Sequence, residues 1–139
     1  MARADKYTFT SRKPTYYSDF TNNFSLNPQT GYLAMVTNEQ AVINSIRNLI
    51  LTNKFERLYQ PNVGSKIQAL LFDLNDPTTH DLLTKTITET INNFEPRARQ
   101  VGVSVDQVLD SEQVSITIAF TMLNIVQPIA FSLILKRVR

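Results

Sequence analysis

The stretch NFEPRARQVGVSV, residues 93–105, joins two kinds of secondary structure. Before it, apolar residues recur at spacings of three and four, which predicts an amphipathic helix. These residues are Leu83, Ile87, Ile91 and Phe94. After the joint, Val101, Val103 and Val105 alternate with small residues, which predicts a strand. Because a proline pushes the residue before it out of the helical region, Pro96 places the end of the helix at Phe94.

The joint itself carries an acid, a proline and an arginine, where an ordinary turn would use Gly or Asn. In an extended segment residues i and i+2 point to the same side, so Glu95 and Arg97 are expected to project together, with Pro96 stiffening the backbone between them. Two interpretations stay open. The pair closes its own turn, worth about 0–1 kcal/mol if exposed. In the second interpretation, the pair binds a partner protein, since arginine binds carboxylates bidentately and is enriched among interface hot spots.

Two further helices are predicted upstream. The first covers residues 38–52, with Asn38 or Thr37 as its cap, and its apolar stripe contains Val42, Ile46, Leu49 and Ile50. A turn at residues 61–64 leads into a short helix with Ile67, Leu70, Leu71 and Leu74. Asp76 followed by Pro77 is a typical start for the helix that ends at Phe94.

Downstream, the alternating pattern returns in residues 114–122 and 129–135. Three consecutive strands with short connections predict an antiparallel β-meander, with the helices packed on one of its faces. The predicted fold class is therefore α+β. A weak additional strand, residues 32–36, is expected before the first helix, after a turn at residues 27–31.

The composition is that of an ordinary globular chain of 139 residues, with 42% hydrophobic residues and a net charge of +2. We expect one α+β domain, residues 25–139, preceded by an extended N-terminal arm, residues 1–24. The charge is too small to indicate nucleic acid by itself, and the absence of Cys excludes disulfides and thiolate metal sites. No secretory signal is visible. Residues 117–135 are apolar, but Asn124, Gln127 and Pro128 favour two strands over a membrane span.

The N-terminal arm is rich in aromatic residues, with Tyr7, Phe9, Tyr16, Tyr17, Phe20 and Phe24. They can lie on their own domain, or they can dock on a neighbouring subunit, since a free arm of this kind would expose apolar surface. A third interpretation is that the arm stacks on single-stranded nucleic acid with help from Arg3, Lys6, Arg12 and Lys13, although no motif accompanies them.

Catalytic and metal-binding patterns are weak. A glycosidase needs two carboxylates across a cleft, and no spacing selects a pair among Asp73, Asp76, Asp81, Glu89, Glu95 and Glu112. His80 is the single histidine and falls in the first turn of a predicted helix, where it is unremarkable. With three Gly in the chain, no phosphate-binding loop is expected. We therefore expect no enzyme activity, no cofactor and no metal.

The order of these features resembles the lysozyme-like baseplate wedge family, which comprises sheath-initiator subunits of contractile phage tails and relatives in type VI secretion baseplates. The resemblance covers residues 38–139 and is carried by the Pro61 to Ser65 turn, Leu71-Phe72, and the Asn93-Phe94-Glu95-Pro96-Arg97 sequence followed by three strands. It implies a structural protein of the virion tail baseplate, assembled in the host cytoplasm. The name "lysozyme-like" leaves a peptidoglycan hydrolase as the alternative function.

The resemblance also implies partners. Glu95, Pro96 and Arg97 are expected to contact the helical core bundle of other wedge proteins. The sheet is expected to accept strands from the first ring of the tail sheath, and tail tube or hub proteins are candidate partners of the arm. The strand pattern alone supports such a contact, because an edge strand of a meander has unpaired backbone N–H and C=O groups that can hydrogen-bond to an added strand. Lys136, Arg137 and Arg139 are candidates to protect that edge or to orient an incoming acidic partner. With the partners that the resemblance implies, they are the candidate sheath contacts. Nucleic acid and membrane are not expected as partners.

Overall fold

The structure, a computed structural model, describes residues 16–72, 76–107, 113–123 and 125–136. The α+β class predicted from the sequence is confirmed. In chain order the elements are β1 Ser18–Phe20, β2 Met35–Thr37, α1 Glu39–Leu51, α2 Ile67–Leu71, α3 Pro77–Phe94, β3 Ala98–Gln107, β4 Gln113–Met122 and β5 Ile125–Lys136.

The last three strands form an antiparallel sheet in the order β3-β4-β5, which is the predicted meander. Val103 pairs with Ile118, and Ile118 pairs with Phe131, so the apolar residues of all three strands share one face. The next residues along the strands point the other way, and there Thr117 pairs with Ser132 on the opposite, polar face. The sheet therefore has one apolar face for the helices to cover.

The core lies between that apolar face and the helices. The helices contribute Val42, Ile46, Ile50, Ile67, Leu83, Ile87 and Ile91, and the middle strand contributes Ile116, Ile118 and Phe120, all of them at most 1% exposed. The ring of Phe120 meets that of Phe131 edge-on, with 6.3 Å between the ring centroids. Burial of each large side chain contributes about 1.5–3 kcal/mol, so the predicted helical stripes hold the two layers together.

Both ends of α3 lie where the sequence places them. Asp76 precedes the helix, and its Oδ1 accepts a hydrogen bond of 2.8 Å from the backbone N–H of Thr79. Pro77 occupies the first turn, where its missing N–H has no cost. The helix ends at Phe94, and Glu95 has φ −125° and ψ 78°, outside the helical region, as expected for a residue before a proline.

The predicted capping of α1 is wrong in one respect. Asn38 does occupy the position before the helix, but its side chain makes no capping hydrogen bond. Its Oδ1 instead accepts a hydrogen bond of 2.9 Å from the backbone N–H of Tyr16, while its own N–H donates to the carbonyl of Tyr17. Asn38 has φ 50° and ψ −114°, outside the extended region that a capping residue typically adopts.

Part of the predicted N-terminal arm is a strand of the domain's own secondary structure. β1 pairs antiparallel with β2, with Asp19 opposite Val36 and Phe20 opposite Met35. β2 overlaps the weak strand predicted at residues 32–36 only at Met35 and Val36. Residues 1–15, which include Arg3, Lys6, Arg12 and Lys13, lie outside the described residues, as do Arg137 and Arg139 at the other end.

The apolar segment at residues 117–135 contains the end of β4 and most of β5, as predicted. None of the described helices combines the length and the apolar character needed to cross a membrane.

The loop between α1 and α2, residues 52–66, folds back on the end of α1. The Ser65 hydroxyl donates a buried hydrogen bond of 2.7 Å to the carbonyl of Ile50, and the Ser65 N–H donates to the carbonyl of Thr52. Gly64 makes this return possible, because it has φ +126° and a Cβ there would lie 2.7 Å from the carbonyl oxygen of Thr52. The sequence indicated a turn here, and the close approach explains why it contains Gly.

We expect Gly64→Ala to lower the free energy of unfolding by about 2–3 kcal/mol, because it combines backbone strain with a clash against backbone atoms. Gly31→Ala is the matched control: Gly31 also has positive φ, +71°, but nothing lies within 4 Å of its added Cβ. Its expected cost is about 1 kcal/mol. Denaturant unfolding of the two variants measures the difference, and equal losses would contradict the close packing of Gly64.

Candidate functional site

Residues Glu95, Pro96 and Arg97, here called the corner, form the tight connection between α3 and β3. The N–H of Glu95 still donates to the carbonyl of Ile91, at 2.8 Å, and the carbonyl of Glu95 accepts from the N–H of Ala98, at 3.1 Å. The backbone therefore leaves the helix and enters the strand within three residues. This short path brings the end of the helix layer directly onto the sheet.

The two charged side chains of the corner form a bidentate ion pair. Arg97 donates from Nε to Glu95 Oε1 at 2.6 Å and from Nη2 to Oε2 at 2.7 Å. A third donor comes from α1, where the hydroxyl of Ser45 lies 2.5 Å from Glu95 Oε2. The Glu95 side chain is 4% exposed and the Arg97 side chain is 29% exposed. The carboxylate is thus enclosed by its own chain.

The guanidinium of Arg97 is covered on one side by the N-terminal segment. Its Cζ lies 5.5 Å from the centre of the Tyr17 ring, within the range of a cation–π contact. Asp19, at the start of the hairpin, adds a favourable electrostatic interaction with the same guanidinium. The last residues of the predicted arm therefore stabilise the corner of their own chain.

The charges of the pair stabilise each other. Burial by itself raises the pKa of Glu95, but the hydrogen bonds from Arg97 and Ser45 outweigh it and hold this pKa below its usual range. The hydrogen bond to Glu95 raises the pKa of Arg97, in the direction opposite to the effect of burial. Glu95 is therefore ionised, and it is a poor proton donor.

The prediction that Glu95 and Arg97 project to the same side is confirmed by their direct ion pair. Their orientation differs from an outward-facing pair, because the acid points to α1 and is buried. Pro96 is exposed and Arg97 is half-buried, so these two residues are the accessible part of the corner. Binding of a partner by Glu95, Pro96 and Arg97 stays a prediction.

A cavity of about 320 Å³ lies beside the corner. We call it the corner cavity, and its lining residues are Asp19, Ser45, Asn48, Leu49, Arg57, Gln60, Val63 and Phe94. Ser45 belongs both to this lining and to the hydrogen bonds around Glu95. The cavity therefore lies next to the ion pair through Ser45, and Arg57 supplies a guanidinium to its mainly polar wall.

The loop that supplies Arg57 also exposes large apolar side chains, two of which fall in the sequence between the cavity-lining residues Arg57 and Gln60. Phe55 is 75% exposed, Leu58 is 92% exposed and Tyr59 is 97% exposed. Side chains of this kind mark protein-binding surfaces when they are grouped. The corner, the corner cavity and this loop together form the surface that we call the corner face.

The other sequence candidates lie elsewhere. Lys136 is exposed at the end of β5, far along the sheet from the corner. His80 lies in the first turn of α3, as predicted. Among the described residues, no three His, Asp or Glu side chains come together in a way that suits a metal ion.

Two residues of the site were missed from the sequence: Asp19 and Ser45. Ser45 had a detectable signal, because it lies between Val42 and Leu49 on the buried stripe of α1, where a polar side chain needs a partner. Asp19 gave none, since its position depends on how the hairpin folds over the corner. Tyr17 is one of the arm aromatics for which packing on the chain's own domain was one interpretation, but the sequence did not indicate Arg97 as its contact.

We expect Arg97→Ala to lower the free energy of unfolding by about 3 kcal/mol, because it removes the two hydrogen bonds from a buried carboxylate. Arg99→Ala is the control, since Arg99 is two residues away and exposed, and such surface changes stay within about 0.5 kcal/mol. Urea unfolding measures both. A fully stable Arg97→Ala protein would show that the pair contributes nothing to folding.

The lowered pKa of Glu95 also predicts a pH dependence. A carboxyl whose pKa is lowered by folding stabilises the protein at neutral pH, and this contribution is lost as the pH falls below the ordinary glutamate value of about 4.3 and through the lower folded value. In Glu95→Gln that part of the acid dependence should disappear. Unfolding free energies measured along a pH series test this, and parallel curves for both proteins would contradict it.

Comparison with known proteins identifies the family of this chain. The family model for baseplate wedge protein gp25 matches residues 36–125, which include α1, α3, the corner, β3 and β4. Baseplate wedge protein gp25 of Enterobacteria phage T4 is 28% identical over 85 residues, which are 61% of this chain and 64% of that protein. The match therefore spans somewhat less than two thirds of the curated relative.

Solved structures share the fold. A structure described as a tail lysozyme from Geobacter sulfurreducens has a TM-score of 0.68 and 23% identity, with 76% of this chain and 98% of that chain covered. A chain in the baseplate complex of the type VI secretion system has a TM-score of 0.56 and 13% identity, with 70% and 93% covered.

The sequence match extends across the corner, and the structural matches extend across most of the domain. These findings confirm the resemblance inferred from the Glu-Pro-Arg joint and the strands after it. The chain belongs to the gp25 family of baseplate wedge proteins.

Proposed function

We propose that this protein is a structural subunit of the baseplate wedge in a contractile tail, and that it joins the wedge to the first ring of the tail sheath. Family membership supports the wedge assignment. The relatives are described as components of a phage baseplate and of a type VI secretion baseplate. The role needs no catalysis, and the virion tail is its location.

The observation that carries the proposal is the separation of two binding features along the sheet. The corner leads into Ala98, which pairs with Met122, and Met122 pairs with Ile125 at the start of β5. Lys136 lies at the other end of β5, opposite Gln113. At about 3.3 Å per residue, these ends are about 35 Å apart. The corner face and the Lys136 end of β5 therefore lie at opposite ends of the same sheet.

The corner face has the properties of a docking surface for the helical core of neighbouring wedge proteins. Arg97 is held in one orientation by Glu95 and Tyr17, so little conformational entropy is lost when a partner contacts it. The corner cavity receives a side chain, and Leu58 and Tyr59 supply exposed apolar area beside it. An arginine with flanking aromatic and aliphatic residues is a typical hot-spot composition.

The strands at the sheet edges suit the second half of the role. Among the described residues, β3 and β5 each pair on one side only, with β4. Their free edges present backbone donors and acceptors, which an extended segment of another chain can satisfy by strand addition. Lys136, with Arg137 and Arg139 after it in the sequence, is the proposed sheath contact.

The geometry argues against Glu95 as the acid of a peptidoglycan hydrolase. A catalytic acid needs a raised pKa, whereas Arg97 and Ser45 lower the pKa of Glu95. Its two oxygens are already bonded to the protein. The Geobacter sulfurreducens structure is described as a tail lysozyme, but Glu95 of this chain is not suited to act as the catalytic acid of such an enzyme.

A double variant at the corner face tests the wedge contact without disturbing folding. We expect Leu58→Ser with Tyr59→Ser to weaken binding to the purified wedge proteins of the same particle by about tenfold or more. The melting temperature should stay unchanged, because these side chains are 92% and 97% exposed. Arg97→Ala is less suitable, since it also removes the partner of a buried acid.

Leu82→Ser is the control for this experiment, because Leu82 is an exposed leucine of α3, 47% exposed, and lies outside the corner face. It should leave binding unchanged. Equal affinities for the double variant and the unmodified protein would rule out the corner face as the wedge contact.

A further inference from the structure

The hairpin formed by β1 and β2 exposes a group of large apolar side chains. We call this group the hairpin patch; its members, which are between 41% and 78% exposed, are Phe20, Phe24, Leu26, Tyr32, Leu33 and Met35. Exposed apolar side chains that are grouped mark interaction surfaces, whereas single ones are common on any protein. The family model begins at residue 36, so the hairpin patch lies outside the part of the chain that it matches.

The pairing of the hairpin places most of the patch on its outer side. Asp19 lines the corner cavity, so its side of the hairpin faces the rest of the domain. Phe20 comes next in β1 and pairs with Met35, and both point to the opposite side because side chains alternate along a strand. Leu33 lies two residues before Met35 and bridges to Leu26. These four apolar side chains therefore share the side of the hairpin that faces away from the domain.

Phe24 is presented by a bulge in the hairpin. The N–H of Thr21 donates to the carbonyl of Ala34 at 3.2 Å, and the N–H of Ala34 donates to the carbonyl of Ser25 at 2.8 Å, so residues 22–24 form an insertion opposite one residue. Phe24 has φ 48°, a conformation that residues other than Gly rarely adopt. Bulges re-aim side chains, and strained backbone of this kind is concentrated at functional sites. The fold thus holds a large aromatic side chain exposed where Gly would fit without strain.

The segment that carries the hairpin patch is also free of charge. Residues 20–38 contain no Asp, Glu, Lys, Arg or His, although 19% of the whole chain is charged. A contact with a different protein gains specificity from complementary charges. An isologous contact, in which two copies apply the same surface around a two-fold axis, instead needs a surface that is compatible with itself. An apolar surface without charges meets this requirement, because no like charges are brought together across the axis.

We propose that the hairpin patch is a self-association surface, on which a second copy of this chain docks with its own hairpin patch. The six side chains expose about 600 Å² of apolar area, since one buried aromatic side chain covers about 150–250 Å². Specific interfaces bury about 600–1,000 Å² of each partner. The patch reaches the lower end of that range, so the dimer is reversible. This inference does not depend on the proposed function, which concerns the corner face and the sheet.

Sedimentation velocity of the full chain over a concentration range of about 1–200 µM tests the self-association. The expected result is a reversible shift from monomer to dimer as the concentration rises. A chain that stays monomeric over the whole range would overturn the proposal and would leave the hairpin patch to a protein of different sequence.

Phe24→Gly tests the hairpin patch itself. Because Gly adopts φ 48° without strain, the melting temperature should not fall when the aromatic side chain is removed. The Kd of the dimer should rise about tenfold or more. Phe55→Gly is the matched control, since Phe55 also has positive φ, 69°, and is well exposed, but lies on the corner face. It should leave the Kd unchanged. An unchanged Kd in Phe24→Gly, or an equal rise in both variants, would show that the hairpin patch is not the contact.

The dependence of the dimer on salt separates an apolar contact from one made by charged residues elsewhere in the chain. Raising NaCl from about 50 mM to about 500 mM screens charges. The Kd for two uncharged patches should therefore not rise. A Kd that rises about tenfold over this range would assign the dimer to a charged surface and would contradict the proposal.

Discussion

The buried ion pair between Glu95 and Arg97 is the constraint on which the arrangement of the layers depends. It lies where α3 ends and β3 begins, and Ser45 ties it to α1. A carboxylate taken out of water is costly unless its oxygens are paired. Here both oxygens accept hydrogen bonds, two from Arg97 within the corner and one from Ser45 on α1. The bond from Ser45 therefore holds α1 against the corner, and its loss would leave the buried carboxylate with one donor fewer.

The same pair explains why the hairpin formed by β1 and β2 belongs to the domain. Tyr17 lies against the guanidinium, and Asp19 adds negative charge near it. Asn38, just before α1, accepts a hydrogen bond on its side-chain oxygen from the backbone N–H of Tyr16, which connects the start of the hairpin to α1. The described end of the predicted arm is thus attached to the domain through Tyr16, Tyr17 and Asp19, which contact the start of α1 and the corner. Because Glu95 is buried and Arg97 is partly covered, only Pro96 and part of Arg97 are accessible to a partner at the corner.

The two contacts proposed for this domain lie at opposite ends of one sheet. The strands continue from the corner to Lys136, and the helices cover one face along the way. A sheet with a close-packed core deforms little along its strands. In this proposal, a movement of the wedge at one end is passed to the sheath at the other end through a rigid body.

The sequence by itself determined the helices, the end of α3 at Phe94, the alternation of the three strands and the α+β class. These features depend on neighbouring residues: periodicity, capping by Asp76 and the effect of Pro96 on Glu95. The resemblance to the wedge family also came from a local sequence signature. Each of these patterns is formed by residues close together in the chain, so it can be recognised from a single sequence.

Only the tertiary structure decided which way the corner faces. Glu95 receives its third hydrogen bond from Ser45, which is 50 residues away in the chain, and Asn38 holds Tyr16 rather than capping α1. The corner cavity likewise combines side chains from separate elements. Contacts of this kind depend on how the layers pack, and the burial of a charge is a property of the whole packed domain. The spacing of residues within one segment therefore does not predict that the charge of Glu95 is buried.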